Sequence, residues 1–482
     1  MPDAPGSDTA EALAFDLIVL GAGSGNSIVG PEWAGSRVAI LDDGEWFGGT
    51  CLNAGCIPTK MFVHVADIVT DVDQGDRVGV HGRVARPAWS EVRDRVFGRT
   101  DAISEGGLDY RANRSENVTV LRESFGFESL GDGVRPHVLV SASGVRISAP
   151  QVVVAAGSRP RPLLAAYEPD PRIHDSDSIM RIDELPPRML VLGGGAVAVE
   201  FAHIFSAFGT AVTVAVRGDR LLRSLDEGIA RGFTELARER WDVRTGVWAE
   251  SVEATPTGLV AVFDDGSRVE TDTILVATGR DPNSDTIAAA SVGIDLHPDG
   301  RVVVDGEQRV LSGGRVVPGL FALGDVSSEW QLKHVANHEA RLVAHNLLHP
   351  GEMLSNTLAP VPGAIFAHPQ IAHFGLTERE AGERGIEVVA VTQEFGSTAY
   401  GWAMEDDSSI CTLVVGLDGE LLGAHLMGPQ ASILIQPLVQ AASAGVGIRG
   451  LARSQYWPHP AASEVVENAL LSAEEALRER TA

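Results

Sequence analysis

Runs of apolar residues of strand length recur along this chain, and most of them stop at a glycine. Residues 15–20 lead into Gly21, Gly23 and Gly25, and a second run over 38–41 ends at Asp42. An apolar run, a glycine turn, a helix and a second run predict a parallel strand-helix-strand unit. The pattern returns downstream: residues 189–192 run into Gly193 and Gly195, a helical stretch extends through Phe208, and an apolar run covers 211–216. Three more short runs, over 152–156, 273–277 and 319–323, stop at Gly157, at Thr278 with Gly279, and at Gly324 with Asp325. Open α/β sheets hold ligands at strand ends of this kind. From about Asn356 the chain changes to alternation through 410–415, a turn over 416–419 and helix-like segments over 432–444, which predicts a separate α+β domain.

Composition narrows the class. The 482 residues allow two to four domains, at roughly 100–200 residues each. With 38 basic against 65 acidic side chains the formal charge is -27, so a nucleic-acid backbone is repelled and is not an expected partner. Only two of the basic residues are lysines, Lys60 and Lys333. Three cysteines are too few for a disulfide scaffold and suit a reducing compartment. No apolar run approaches the ~20 residues of a membrane span, and the first fourteen residues do not read as a signal peptide. A cytoplasmic protein with no membrane partner is the expectation.

Both glycine turns have a dinucleotide-binding pattern. In the first, Gly21 permits the turn, Gly23 lets the backbone approach a pyrophosphate, and Asn26 stands where a third glycine is usual. Asp42 is placed to bind a ribose hydroxyl. In the second, Gly193 and Gly195 are followed by Ala198, and the second strand ends in Arg217, with Arg223 six residues on. Guanidinium groups pair with a 2′-phosphate, which predicts NADPH over NADH. Directly after the first unit comes Cys51-x4-Cys56, with Thr50 before it and Pro58 and Lys60 after it. Residues five apart in a regular helix are about 140° apart around the axis and ~7.5 Å along it, too far for a disulfide. A pair here needs an irregular backbone, which Gly55 permits; two structural cysteines are the alternative. No third cysteine or histidine lies nearby to complete a metal site. His334 and His338 have helical metal spacing but fit a cofactor-domain helix, and Cys411 fits a core strand.

Cys51-x4-Cys56 with Pro58 and Lys60, the two glycine turns, Ala277-Thr-Gly279-Arg280, Ala322-Leu-Gly-Asp325 and His459-Pro-x-x-x-Glu464 occur in one order along nearly the whole chain. In this the sequence resembles the flavin-dependent pyridine nucleotide-disulfide oxidoreductases. Residues 331–341, Met61-Phe62, and the segments 456–460 and 465–471 look most like the members that reduce mycothione.

The resemblance implies an α/β fold with two Rossmann-like domains, for FAD and NADPH, and a C-terminal α+β dimerisation domain. The expected boundaries are a flexible tail over 1–14, an FAD domain over 15–159 and 281–355, an NADPH domain over 160–280 and the dimerisation domain over 356–482. Cys51 and Cys56 are implied as the redox disulfide, Cys56 facing the flavin and Cys51 attacking the substrate. Lys60 and Glu200 are implied as an ion pair near the flavin, and Asp325 as a ligand of its ribityl chain. His459 and Glu464 are implied as a proton dyad in the neighbouring subunit's site. Gly21, Gly23, Gly25, Asp42, Thr50, Lys60, Gly157 and Asp325 are thus expected around FAD, and Gly193, Gly195, Gly279, Arg217 and Arg223 around NADPH. The expected substrate is a small disulfide, mycothione ahead of glutathione disulfide, reduced by a homodimer; the competing expectations are a glutathione-type reductase and a nonenzymatic redox-sensing flavoprotein. Ala196 departs from relatives, which often carry an aromatic residue over the nicotinamide pocket.

Overall fold

The computed structural model describes residues 12–85, 87–163, 169–357 and 359–481. The chain divides into two compact units, one of Met1–Pro58, Phe97–Pro160 and Arg280–Thr357, the other of Thr59–Val96, Arg161–Gly279 and Leu358–Ala482.

The first unit is built on a six-stranded sheet in the order Arg309–Ser312, Arg315–Ala322, Gln151–Val154, Leu17–Leu20, Val38–Leu41, Val118–Leu121. The last five are mutually parallel, and Arg309–Ser312 pairs antiparallel at the edge. Such strands are covered on both faces, which is why their runs are apolar throughout. Ile18, Leu20, Ala39 and Val152 pack into one core, and Leu17, Val19, Ile40 and Val153 into the core on the opposite face. The first of these cores is closed by a four-stranded mixed sheet whose Phe125, Phe127, Leu139 and Ile147 join it. Leu13–Ala14, expected to lie in a flexible tail, form the edge strand of that sheet, pairing with Ile147 and Ser148. The rest of that tail, residues 1–11, lies outside the described residues.

One expectation fails here. The first glycine turn is not followed by a regular helix but by two 3-10 turns, Gly25–Ile28 and Pro31–Trp33. Pro31 disfavours helical backbone at Gly30, which is extended at φ -99°, ψ -173°. The carbonyls left without helical partners are taken by Arg111, whose guanidinium donates to Asn26 O and Val29 O at 2.9 Å each.

The second unit holds a five-stranded parallel sheet in the order Ile173–Asp175, Thr273–Val276, Arg188–Leu192, Ala211–Val216, Asp242–Thr245. Here the glycine turn does open a regular helix, Ala196–Ala207. The C-terminal part is a five-stranded antiparallel sheet, with the helix Glu464–Thr481 sharing its core through Val465, Val466, Ala469, Leu470 and Ala473. Cys411 is fully buried in that sheet, and burial pushes its thiol up to about 12, so it stays a neutral packing residue. The helical stretch expected over 432–444 occurs as Ala431–Leu434 and Gln436–Ser443. No helix among the described residues is long and apolar enough to cross a membrane.

Candidate active site

In the first unit the turn after Leu17–Leu20 leaves no room for a side chain. Gly21 has φ +104°, and a Cβ there would lie 2.2 Å from the carbonyl oxygen of Ala155 on the adjacent strand. Gly25 is held as tightly: its Cβ would meet Ala155 Cβ at 2.7 Å and Val19 Cγ1 at 2.8 Å. Close packing, the role reserved for the third glycine of the fingerprint, therefore falls on Gly25 instead of position 26. Asn26 accepts from Arg111 Nε through Oδ1 at 2.8 Å. Over Gly23 the space is wider, with Gly49 Cα as the nearest neighbour at 3.7 Å from its Cβ position. Asp42 accepts from Ala22 N at 3.0 Å and pairs with Arg122 at 3.1 Å. Burial nevertheless pushes its carboxyl above the usual range.

The cysteine segment is fastened beside this turn. Asn53 is buried and donates to the carbonyls of Phe47 and Gly49 at 3.0 and 3.1 Å, while glycine-to-glycine contact joins Gly49 and Gly23. Thr50 opens a one-turn helix, Thr50–Asn53, that carries Cys51; it ends at Ala54 with φ -144°, and a new helix, Cys56–Asp73, starts two residues later. The break puts the two cysteines on separate helical segments. At Gly55 a Cβ would stand 3.0 Å from Thr50 O and 3.5 Å from Cys51 Cα, so the chain doubles back closely there. Cys56 is exposed at the first position of an 18-residue helix, where the helix dipole favours a thiolate, and Cys51 is half-buried.

At the far strand ends, Asp325 accepts from Ser158 Oγ at 2.7 Å, and Arg280 Nε donates to the same oxygen at 2.8 Å. Next to them Glu339, which the sequence did not single out, accepts from Gly324 N at 2.7 Å. Burial pushes its carboxyl up to about 7, with Asp325 adding to the rise. Gly157 has φ +69° and open space at its Cβ position.

In the second unit, Lys60 Nζ donates to Glu200 Oε2 at 2.6 Å and lies 4.8 Å from the centre of the Phe366 ring. Phe366 N donates to Glu200 Oε1 at 2.8 Å, so both carboxylate oxygens are used. One helical turn beyond Glu200, the buried His203 bonds Asp67 Oδ1 through Nε2 at 2.8 Å and Arg240 Nη2 through Nδ1 at 3.0 Å. A guanidinium only donates, so Nδ1 accepts and Nε2 carries the proton; burial keeps this ring neutral. The second glycine turn repeats the first: a Cβ on Gly193, φ +134°, would sit 2.2 Å from Ala277 O, and nothing lies within 4 Å of that position on Gly195. Arg217, exposed at the end of its strand, stacks over Trp248 at 5.0 Å, and the stem of Arg223 passes Gly218. Gly279 has φ +131° with the Arg161 guanidinium beside it. Ala196 is exposed at the start of the helix. His459 Nδ1 is 3.0 Å from Glu464 Oε1; the imidazole is exposed, whereas the carboxylate is largely buried at the first position of its helix.

Residues 15–340 match the pattern of the pyridine nucleotide-disulphide oxidoreductases, and residues 361–470 match the dimerisation domain of the same family. The chain belongs to that family. It is a disulfide oxidoreductase with FAD and NADPH as cofactors, acting on small disulfides as a homodimer. Both cradles fit these cofactors: each brings a strand-end carbonyl against a glycine and leaves the backbone beyond it open. The chain is similar to mycothione reductase of Mycobacterium tuberculosis, with 46% identity covering 95% of this chain and 99% of that one. It is 30% identical to glutathione reductase of Burkholderia cepacia, over 89% of this chain and 93% of the relative. Among solved structures, the HOCl-induced flavoprotein disulfide reductase of Escherichia coli has the same fold, with a TM-score of 0.80 and 23% identity over 95% of this chain and 99% of that one.

Proposed function

We propose that this enzyme reduces mycothione to mycothiol with electrons from NADPH, in the cytoplasm. The similarity to the Mycobacterium tuberculosis mycothione reductase along 95% of the chain is what carries the substrate assignment. Residues 15–159 and 281–355 serve FAD, 160–280 serve NADPH and 356–482 serve dimerisation. When bound, FAD carries electrons from NADPH to the Cys51–Cys56 pair.

The chain's own groups do the thiol chemistry. Gly21, Gly23, Gly25, Asp42, Thr50, Gly157 and Asp325 bind the flavin nucleotide. Gly193, Gly195 and Gly279 bind the nicotinamide nucleotide, with Arg217 and Arg223 on its 2′-phosphate. Lys60, held by Glu200, places a cation beside the flavin ring. Cys51 Sγ attacks one sulfur of the substrate, forming a mixed disulfide and expelling one thiolate. That thiolate takes a proton from the partner subunit's His459. Cys56, favoured as a thiolate at its helix start, then attacks Cys51 Sγ, restores the internal disulfide and releases the second half of the substrate as a thiolate, which takes a proton from solvent. Glu464 accepts the Nδ1 proton of His459, which fixes the ring and leaves Nε2 for proton transfer.

The test is steady-state turnover with NADPH against mycothione, glutathione disulfide, cystine and coenzyme A disulfide. The expected result is the highest kcat/KM for mycothione. A higher value for glutathione disulfide overturns the substrate and leaves the reductase chemistry standing. No turnover with any disulfide, in protein that carries FAD, favours a sensor.

A further inference from the structure

The two nucleotide turns differ in what they offer a diphosphate. The second opens a regular helix of 12 residues, Ala196–Ala207, whose dipole and free N–H groups favour an anion. The first opens only the four-residue 3-10 turn Gly25–Ile28, which supplies little of either. In a chain of charge -27, a dianionic diphosphate needs a local positive group.

One such group reaches into the first turn. Lys333 is the first residue of the helix Lys333–Leu348, after the N-cap Leu332. A cation at that end opposes the helix dipole, which is unfavourable unless an anion is also present. Among the described residues no carboxylate pairs with it; its ammonium donates to Ser24 Oγ at 2.7 Å, and Ser24 stands between Gly23 and Gly25. Asn337, one turn along the same helix, has Oδ1 3.4 Å from the same hydroxyl. Ser24 therefore accepts from Lys333 and donates to Asn337, leaving two N–H groups on the ammonium and both on the Asn337 amide. Once these two bonds are made the cluster is left with donors in excess, beside the backbone of a nucleotide-binding turn. By contrast, Lys60, the other lysine, is paired with Glu200 at 2.6 Å.

We propose that Lys333, with Asn337 beside it, binds the diphosphate of FAD and replaces the helix dipole that the first turn lacks. This rests on the first turn being the FAD site, and the experiment separates the two. The full-length apoprotein is titrated with FAD and, separately, with ADP, which carries the diphosphate without the flavin ring; the flavin midpoint potential is measured after reloading. Losing a hydrogen-bonded charge contact corresponds to about 10- to 100-fold in affinity. Lys333→Met should raise the Kd of both ligands by that factor, Lys333→Arg should keep most of the affinity, Asn337→Ala should lose less than Lys333→Met, and the potential should stay unchanged. Lys333→Gln is the second variant should the methionine protein fail to fold, judged by circular dichroism before ligand is added. Unchanged FAD affinity in the folded Met or Gln variant overturns the proposal. So does a shifted potential with unchanged ADP affinity, which puts the ammonium at the flavin ring. Failure of the unaltered apoprotein to bind FAD would instead remove the site assignment itself.

Discussion

The two glycine turns share their strand-end geometry almost atom for atom and diverge beyond it. In each, the turn glycine's N–H donates to the neighbouring strand, Gly21 N to Leu41 O at 2.7 Å and Gly193 N to Ala215 O at 2.9 Å. In each, a carbonyl on the strand at the other side comes within 2.2 Å of where a Cβ would be. The second strand of the first unit then ends in Asp42, tied to Ala22 N, whereas that of the second ends in Arg217 over Trp248. The backbone sets where a dinucleotide can lie, and the residue closing the second strand sets which one.

The hardest test of that division is to fill each turn. With a Cβ 2.2 Å from a carbonyl oxygen and φ of +104° and +134°, alanine at Gly21 or Gly193 forces the strands apart. Each change should cost the local site about 3 kcal/mol or more, on the order of a hundredfold in affinity. Gly21→Ala should yield colourless protein that does not retain FAD. Gly193→Ala should remain yellow and lose reduction by NADPH. Absorbance at purification and stopped-flow mixing with NADPH read the two outcomes, and the reverse pattern would exchange the two assignments.

A smaller effect is expected at the strand ends. Replacing Arg217 and Arg223 with Ala should lower kcat/KM for NADPH about 10- to 100-fold, since bonds to a charged phosphate are worth ~1.5–3 kcal/mol. Turnover with NADH should hardly change. Equal losses with both nucleotides would mean that the two arginines do not read the 2′-phosphate.

Most of this was legible in the chain because it rests on short-range covalent constraints. A glycine at a strand end, a proline, or two cysteines around a glycine restrict the backbone wherever they occur. The break between Thr50–Asn53 and Cys56–Asp73 is what the cysteine spacing requires if the two cysteines pair. What escaped depends on partners distant in sequence. Asn26 read as a defect in the fingerprint, yet it meets Arg111, 85 residues away. Nothing in its sequence surroundings singles out Glu339, which is buried and accepts from Gly324 N, 15 residues away. The missing first helix did carry a signal, Gly30-Pro31, which the strand-turn-strand pattern masked.

A buried glutamate in the first unit and two buried histidines in the second should also respond oppositely to acid. In the second, burial lowers His368 and His373 to about 4. Between that value and the unfolded value of 6.5 the unfolded chain binds the protons and the folded one does not, so stability falls as pH falls. In the first, Glu339 is raised to about 7 from 4.5, so the folded form holds a proton that the unfolded form has lost, and stability falls as pH rises through that window. Each group contributes up to about 1.4 kcal/mol per pH unit within its window. Glu339 therefore opposes a loss on acidification that other buried histidines, among them His137, His203 and His425, reinforce. Glu339→Gln removes the opposing slope, so Tm measured from pH 7 to pH 5 should drop more steeply in this variant than in the parent. A shallower drop would mean that Glu339 is ionised in the folded protein.

The smallest effect is expected where the first turn departs from the fingerprint. If Asn26 were a blemish, Asn26→Gly would be neutral or stabilising, since it restores the usual third glycine. The geometry says otherwise. Close packing already falls on Gly25, so a glycine at 26 relieves no clash, while Arg111 Nε loses its 2.8 Å acceptor. Burial lowers Arg111 from its usual range, so its guanidinium already bears a desolvation cost and depends on its acceptors. Two bonds remain, to Asn26 O and Val29 O, so the loss is partial. One lost bond to a charged donor, with the added backbone freedom of glycine, amounts to about 1–2 kcal/mol. The temperature at which bound flavin is released, followed by its fluorescence, should fall by a few degrees. Arg111→Met should lower it further, because three bonds disappear at once. In the double variant the two losses should not add, since both act on the same Nε contact. Full additivity, or a rise in release temperature for Asn26→Gly, would show that the guanidinium does not hold the broken turn together.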